Sequence, residues 1–226
     1  MGEDSTKLRI GVLASGGGTN LQSIIDACST GNIDAEIVRV ISNNPDAGAL
    51  QRADRAHISS CCINHRSFEN RAAFDAAVIA QLQQDGVELV VLAGFMRIVG
   101  ADFVKAFPDR IMNIHPALLP AFPGLNVQKK ALEYGTRFSG CTVHFIDDGV
   151  DTGPIIAQAV VPVLDDDTEE SLSARILEQE HRLYPHAIQL FAAGALRVEG
   201  RRVRIDPAYT RDREIYSGAL INPPCA

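Results

Sequence analysis

Short apolar runs alternate with stretches of helical spacing through the first half of this chain. No other feature constrains the fold as strongly, because strand–helix–strand repetition implies a parallel sheet covered by helices. Leu8–Ala14 reads as a strand buried on both faces, rich in branched apolar residues and stopped by glycines. Thr19–Ser29 reads as a helix, since Leu21, Ile24, Ile25 and Cys28 recur at helical spacing. The same reasoning predicts strands over 36–42, 59–64, 88–93 and Ile111–His115, and helices over 47–56, 68–84 and 102–107. Phe74, Val78 and Leu82 stack four apart in the longest of these helices. In sheets of this kind ligands bind outside the carboxyl ends of the strands, which selects residues 15–20, 94–99 and 113–120.

The second half changes character. Pro116, Pro120, Pro123 and Gly124 make an irregular loop, and Val127–Tyr134 is predicted helical, ending at Gly135. Strands are expected over 139–147 and 154–163, with a polar turn at 148–153 between them. Residues 169–193 read as one long helix, bent where Pro185 withholds its amide from the ladder. Residues 197–226 are polar, basic around 200–204 and then proline-containing, suited to a small hairpin followed by a loose end. The expectation is therefore an α/β fold, doubly wound, with a mostly parallel Rossmann-like sheet flanked by helices and an antiparallel extension in the C-terminal half. A single domain is expected over 1–200, with 201–226 as a tail.

Charge and cysteine usage narrow the function classes. The formal charge is −7, from 21 Lys and Arg against 28 Asp and Glu, which disfavours a nucleic-acid partner but permits a small phosphorylated ligand. Cys28, Cys61, Cys62, Cys141 and Cys225 are odd in number, scattered and without a Cys-x-x-Cys pair. That is neither a disulfide framework nor a zinc site, so no metal is expected and a reduced, cytoplasmic setting is. Residues 1–7 lack the apolar core of a signal peptide, and no apolar run approaches the ~20 residues that span a bilayer.

Four features could carry chemistry. Ser15-Gly16-Gly17-Gly18-Thr19-Asn20 lies between a strand and a helix. Glycines let several N–H groups converge, and the helix N-terminus favours an anion; the other reading is a plain strand-to-helix turn capped by Thr19. Asn113 and His115 are two apart on a strand and so project together. An amide donor beside an imidazole suits an oxyanion, while the other reading is a polar pair satisfied by the following loop. Asp151 lies in a turn rich in turn formers; a carboxylate beside His115 would favour the cationic ring. Glu180 shares a helical stripe with Leu172, Ile176 and Leu183. It either reaches a substrate hydroxyl or amine, or marks where the helix ends its burial near Pro185. His144 alternates with Thr142 and Ile146 on one strand face, and none of the other histidines has metal-ligand spacing.

On these residues the sequence resembles the phosphoribosylglycinamide formyltransferase family of purine synthesis, over Leu8 to about Val198. The marks are Ser15–Asn20, Leu92-Ala93-Gly94-Phe95-Met96-Arg97-Ile98 and Asn113-Ile114-His115-Pro116-Ala117-Leu118-Leu119-Pro120. Asp151-Thr152-Gly153-Pro154 and Gln179-Glu180-His181 follow in order. The resemblance implies the formyltransferase fold, glycinamide ribonucleotide as acceptor and 10-formyltetrahydrofolate as co-substrate. It implies that Asn113, His115 and Asp151 are catalytic, with His144 in support. Gly18, Thr19 and Asn20 would hold the ribonucleotide phosphate, and Glu180 its ribose or glycinamide end. Arg71, Met96, Arg97, Ile98, Val99 and Asn113, with the segment Asp147, Asp148, Gly149, Val150 and Asp151, would receive the folate. The partners expected are these small molecules, with no nucleic acid and no membrane, for a monomer or homodimer.

Two positions depart from the family pattern. Asn126 stands where relatives often carry histidine, and Thr152 where some carry glycine. A tRNA-directed member would add a C-terminal domain, and a formyltetrahydrofolate hydrolase an N-terminal regulatory domain; neither is expected here. A truncated hydrolase and a non-catalytic binding module are the rival readings.

Overall fold

The computed structural model describes residues 7–209. The chain divides into two compact units, residues 1–112 and 113–226.

The first unit contains β1 (Leu8–Ala14), α1 (Thr19–Ser29), β2 (Ala35–Ser42), α2 (Gly48–Arg55), β3 (Ser60–Cys62), α3 (Arg71–Gln84), β4 (Leu89–Leu92) and α4 (Ala101–Ala106). Its strands lie in the order β3-β2-β1-β4 and pair in parallel. Ile10, Val12, Leu13 and Ala14 of β1 are fully buried, without the alternation of a half-exposed strand. Leu21, Ile24 and Ile25 bury the inner face of α1, and Phe74, Val78 and Leu82 that of α3. The strand expected over 59–64 is shorter because Asn64 turns the chain, accepting from the Arg66 N–H at 3.0 Å and opening a 3-10 turn at His65–Ser67. The helix expected from 68 starts at Arg71, since the Asn70 side chain caps it by accepting from Ala73 N–H at 2.9 Å.

The second unit follows β5 (Ile111–His115), which crosses the boundary, with α5 (Val127–Tyr134), β6 (Phe138–Phe145), β7 (Ile155–Pro162), α6 (Glu169–Ala192), β8 (Leu196–Glu199) and β9 (Arg202–Ile205). Its strand order is β5-β6-β7-β9-β8. β6 and β7 are antiparallel, as are β8 and β9, while β9 joins β7 in parallel at Ile155 and Arg202. The α/β class, with a mostly parallel sheet and antiparallel C-terminal strands, is thus the architecture found. α6 packs on β6 and β7. It runs through Pro185, and its N-terminus carries a capping box in which Thr168 and Ser171 satisfy each other's amides. The hairpin expected around Gly200 is β8–β9; residues 210–226 of the expected tail lie outside the described residues.

Candidate active site

In the second unit, strand spacing brings Asn113 and His115 together at the end of β5, as expected. His115 is 5 % exposed. Its Nε2–H donates to the Phe122 carbonyl at 2.9 Å, and its Nδ1 faces Asp151 Oδ2 at 3.4 Å. Asp151 Oδ2 also accepts from the Gly124 N–H at 2.8 Å. The distance that spacing left open is therefore one of direct approach, with no room for a water between the two groups.

His144, at the end of β6, is fully buried. Burial holds its imidazole below the usual range, opposed in part by the Phe145 carbonyl and by Asp151. The neutral ring donates from Nδ1 to the Phe145 carbonyl at 2.9 Å, which leaves Nε2 to accept from Asn113 Nδ2 at 3.1 Å. One N–H of the Asn113 amide is thereby fixed, which orients the second. The polar pair is not simply satisfied by its following loop: His115 is, in part, but Asn113 turns to β6.

The loop after β5 is fastened by residues the sequence reading assigned no role. Thr142 Oγ1 accepts from the Leu119 N–H at 3.0 Å and donates to the Ala117 carbonyl at 2.7 Å, and Gln158 Nε2 donates to the Leu119 carbonyl at 2.9 Å. In the segment before Asp151, Asp147 Oδ1 accepts from the Gly149 N–H at 3.0 Å, and Val150 is 47 % exposed. Asp148 and Gly149 are exposed as well. Gly153 closes this turn so tightly that a Cβ would stand 1.8 Å from the Phe145 carbonyl oxygen, so only glycine fits. Glu180 is 6 % exposed, and burial continues beyond it through Leu183, Tyr184, Ala187, Ile188 and Leu190. The helix does not end its burial there. After burial itself, the Glu180 charge is a second reason why the Cys141 thiol is pushed up.

In the first unit, the helix-cap position falls on Gly18, at φ 74°, and not on Thr19. The three glycine carbonyls of the loop are taken: Gly16 by the Ala49 N–H at 3.1 Å, Gly17 by Arg52 Nε at 2.7 Å, and Gly18 by the Gln22 N–H at 3.0 Å. A trans peptide sets N–H opposite C=O, so the amides of Gly17, Gly18 and Thr19 point away from these donors. Ser15 Oγ donates to Asn43 Oδ1 at 2.6 Å and accepts from the Met96 N–H at 2.8 Å. It thereby ties the glycine loop to residues 94–99, where Met96 and Ile98 are 66 % and 58 % exposed. Asp75 fixes the far end of that segment, accepting from the Gly100 N–H at 2.7 Å. Burial raises the Asp75 carboxyl, against the Gly100 amide and the nearby charges of Arg71 and Arg97. Asp75 was missed in sequence, although a carboxylate beside the Phe74–Val78 stripe is the same signal that singled out Glu180. Among the described residues, no group of three or more His, Cys, Asp or Glu side chains is placed to hold a metal ion.

An α/β sheet that ends one strand in an amide and an imidazole, with a carboxylate brought to them by a neighbouring turn, suits an enzyme that stabilises a developing oxyanion and moves a proton. The chain belongs to the formyl transferase family, whose profile matches residues 8–188. It is 44 % identical to the phosphoribosylglycinamide formyltransferase of Haemophilus influenzae, over 88 % of this chain and 93 % of that one. The trifunctional purine biosynthetic protein adenosine-3 of Drosophila melanogaster is 51 % identical over 82 % of this chain, which spans 14 % of that protein's length. Among solved structures, the glycinamide ribonucleotide transformylase 1 of Symbiobacterium toebii superposes with a TM-score of 0.88 at 55 % identity, covering 90 % of this chain and 95 % of that one.

Proposed function

We propose that this chain transfers the formyl group of 10-formyltetrahydrofolate to the glycinamide amine of phosphoribosylglycinamide. The observation that carries the reading is the 3.4 Å approach of His115 Nδ1 to Asp151 Oδ2, beside an Asn113 amide oriented by His144. As the amine attacks the formyl carbon, the carbonyl oxygen gains charge. Asn113 donates its second N–H to that oxygen, and His115 stabilises the charge and supplies the proton. Asp151 keeps His115 paired and helps move the proton from the attacking amine to the leaving nitrogen. Gly18, Thr19 and Asn20 hold the ribonucleotide phosphate, a role supported by the occupied loop carbonyls. Glu180 serves the ribose or glycinamide end. Arg71, Met96, Arg97, Ile98 and Val99 receive the folate, as do Asp147, Asp148, Gly149 and Val150; the exposure of Met96, Ile98 and Val150 supports this. Asn113, His115 and Asp151 come from one chain, so the chemistry suits a monomer or a homodimer. A cytoplasmic setting fits the four described cysteines, all of them free thiols. Among the described residues, no helix is long and apolar enough to cross a membrane.

The test is to follow formyl-group fate in the presence and absence of phosphoribosylglycinamide. Formylated ribonucleotide is expected to form in step with folate release. Folate release at the same rate without the acceptor would make the chain a hydrolase, and binding of both ligands without turnover would make it a binding module.

A further inference from the structure

Resting on the catalytic reading of His115 and Asp151, we propose that the backbone of residues 122–124 is a bracket that sets their geometry, and that the Phe122 ring, braced on Tyr134, holds the bracket in place. The segment presents opposite poles to the two side chains. The Phe122 carbonyl accepts from His115 Nε2–H at 2.9 Å, and two residues later the Gly124 N–H donates to Asp151 Oδ2 at 2.8 Å. A carbonyl facing the imidazole keeps a hydrogen on Nε2 and turns Nδ1 toward the carboxylate. An amide facing the carboxylate fixes the oxygen that Nδ1 meets. One short stretch of backbone thus positions both members of the pair.

The conformation needed for this is an uncommon one. Phe122 lies at φ 51°, and Asn126 and Asp151 at 57° and 54°. A bulky L-residue in this region is disfavoured by its own Cβ and persists only where the surroundings impose it. Upstream, the surroundings are the Thr142 and Gln158 hydrogen bonds that pin Ala117 and Leu119. Downstream, Lys130 Nζ reaches the Pro123 carbonyl at 3.4 Å, and the Phe122 ring meets Tyr134 edge to face, with centroids 6.0 Å apart at 72°. Tyr134 ends α5 and is 81 % exposed, so nothing in the core requires an aromatic residue there. Its ring serves the bracket.

The experiment compares Tyr134→Ala, Tyr134→Phe and Phe122→Leu with the parent full-length chain. It measures kcat, both KM values, the unfolding midpoint and the His115 side-chain NMR signals. Tyr134→Ala and Phe122→Leu are expected to lower kcat by about three- to thirtyfold, the scale of a small misplacement of a reacting group. Tyr134→Ala should keep both KM values within about twofold and the midpoint within about 2 °C, as for a surface substitution. The His115 Nε2–H signal should broaden in both variants, and Tyr134→Phe should restore signal and turnover alike. A parental kcat in Tyr134→Ala, an unaltered His115 signal, or a loss of kcat that follows the midpoint or KM would overturn the bracket. His115→Ala separates this from the underlying reading. If that variant keeps turnover, the catalytic assignment fails; if it loses turnover while Tyr134→Ala does not, only the bracket fails.

Discussion

His115 is enclosed, yet each of its ring nitrogens faces an oxygen, and that combination explains both what it does and how sensitive it is. In the proposed reaction, replacing it with alanine removes the proton donor and one source of oxyanion stabilisation. Turnover is expected to fall by about a hundred- to a thousandfold, while calorimetry should show ribonucleotide affinity little changed. Wild-type-like turnover would end the assignment. His144 allows a prediction in pH. Its folded-state affinity for protons is depressed by burial, so below about 6.5 the unfolded chain takes up the proton first. Its contribution is flat above that value, and stability falls as pH drops toward the folded-state value. His186, also depressed by burial, adds a loss of the same sign. Urea unfolding at pH 7.5 and 5.5 should give a shallower acid loss in His144→Gln than in the parent, with His186 present in both; an identical loss would contradict it. At this scale, strand spacing made Asn113 and His115 legible together. Asp151 was legible only through the family motif, because its approach to His115 is made by a loop with no period. The Phe122 carbonyl was invisible, since a backbone oxygen has no residue-type signature.

Among the elements, the approach of α2 to the glycine loop is an exacting one. Gly18 lies at φ 74°, and a Cβ there would stand 2.8 Å from Ala49 Cα, a backbone atom that cannot swing aside. Gly18→Ala therefore meets both a disfavoured conformation and a clash. The variant is expected to lose about 1–3 kcal/mol of stability and to raise KM for the ribonucleotide by at least about tenfold, with a smaller change for the folate. Equal rises for both substrates would place the loop's role elsewhere. Elements whose inner faces repeat at helical spacing, such as α1 and α3, were legible in sequence, and so was the fully buried β1. The ends were less so. Asn64 and Asn70 act through single side-chain hydrogen bonds, which outweigh the apolar pattern on either side of them. α6 runs through Pro185 to Ala192 as one long helix, as its spacing implied, with buried side chains on both sides of the proline.

Over the whole molecule, the sheet class followed from the alternation of strands and helices, and the antiparallel pairs from the turns that join β6 to β7 and β8 to β9 without a helix. What alternation could not give was the parallel joining of β9 to β7, a pairing made from the far side of a hairpin. The net charge of −7 bears on binding. Both proposed substrates are anions, so the distant field of the protein repels them, and attraction must come from groups at close range. In the proposed reading these groups are the amides of Gly17, Gly18 and Thr19, with Arg52 beside them on the Gly17 carbonyl. Raising salt from about 10 to 150 mM shortens the screening length from roughly 30 to 8 Å. That weakens the distant repulsion and the nearby attraction together. KM for the ribonucleotide is expected to change by less than about threefold across this range, where a protein held by an extended basic surface would lose about a thousandfold or more. Steady-state kinetics over a salt series measures this directly. A rise in KM of tenfold or more would show that long-range attraction drives binding, which a surface of this charge does not supply.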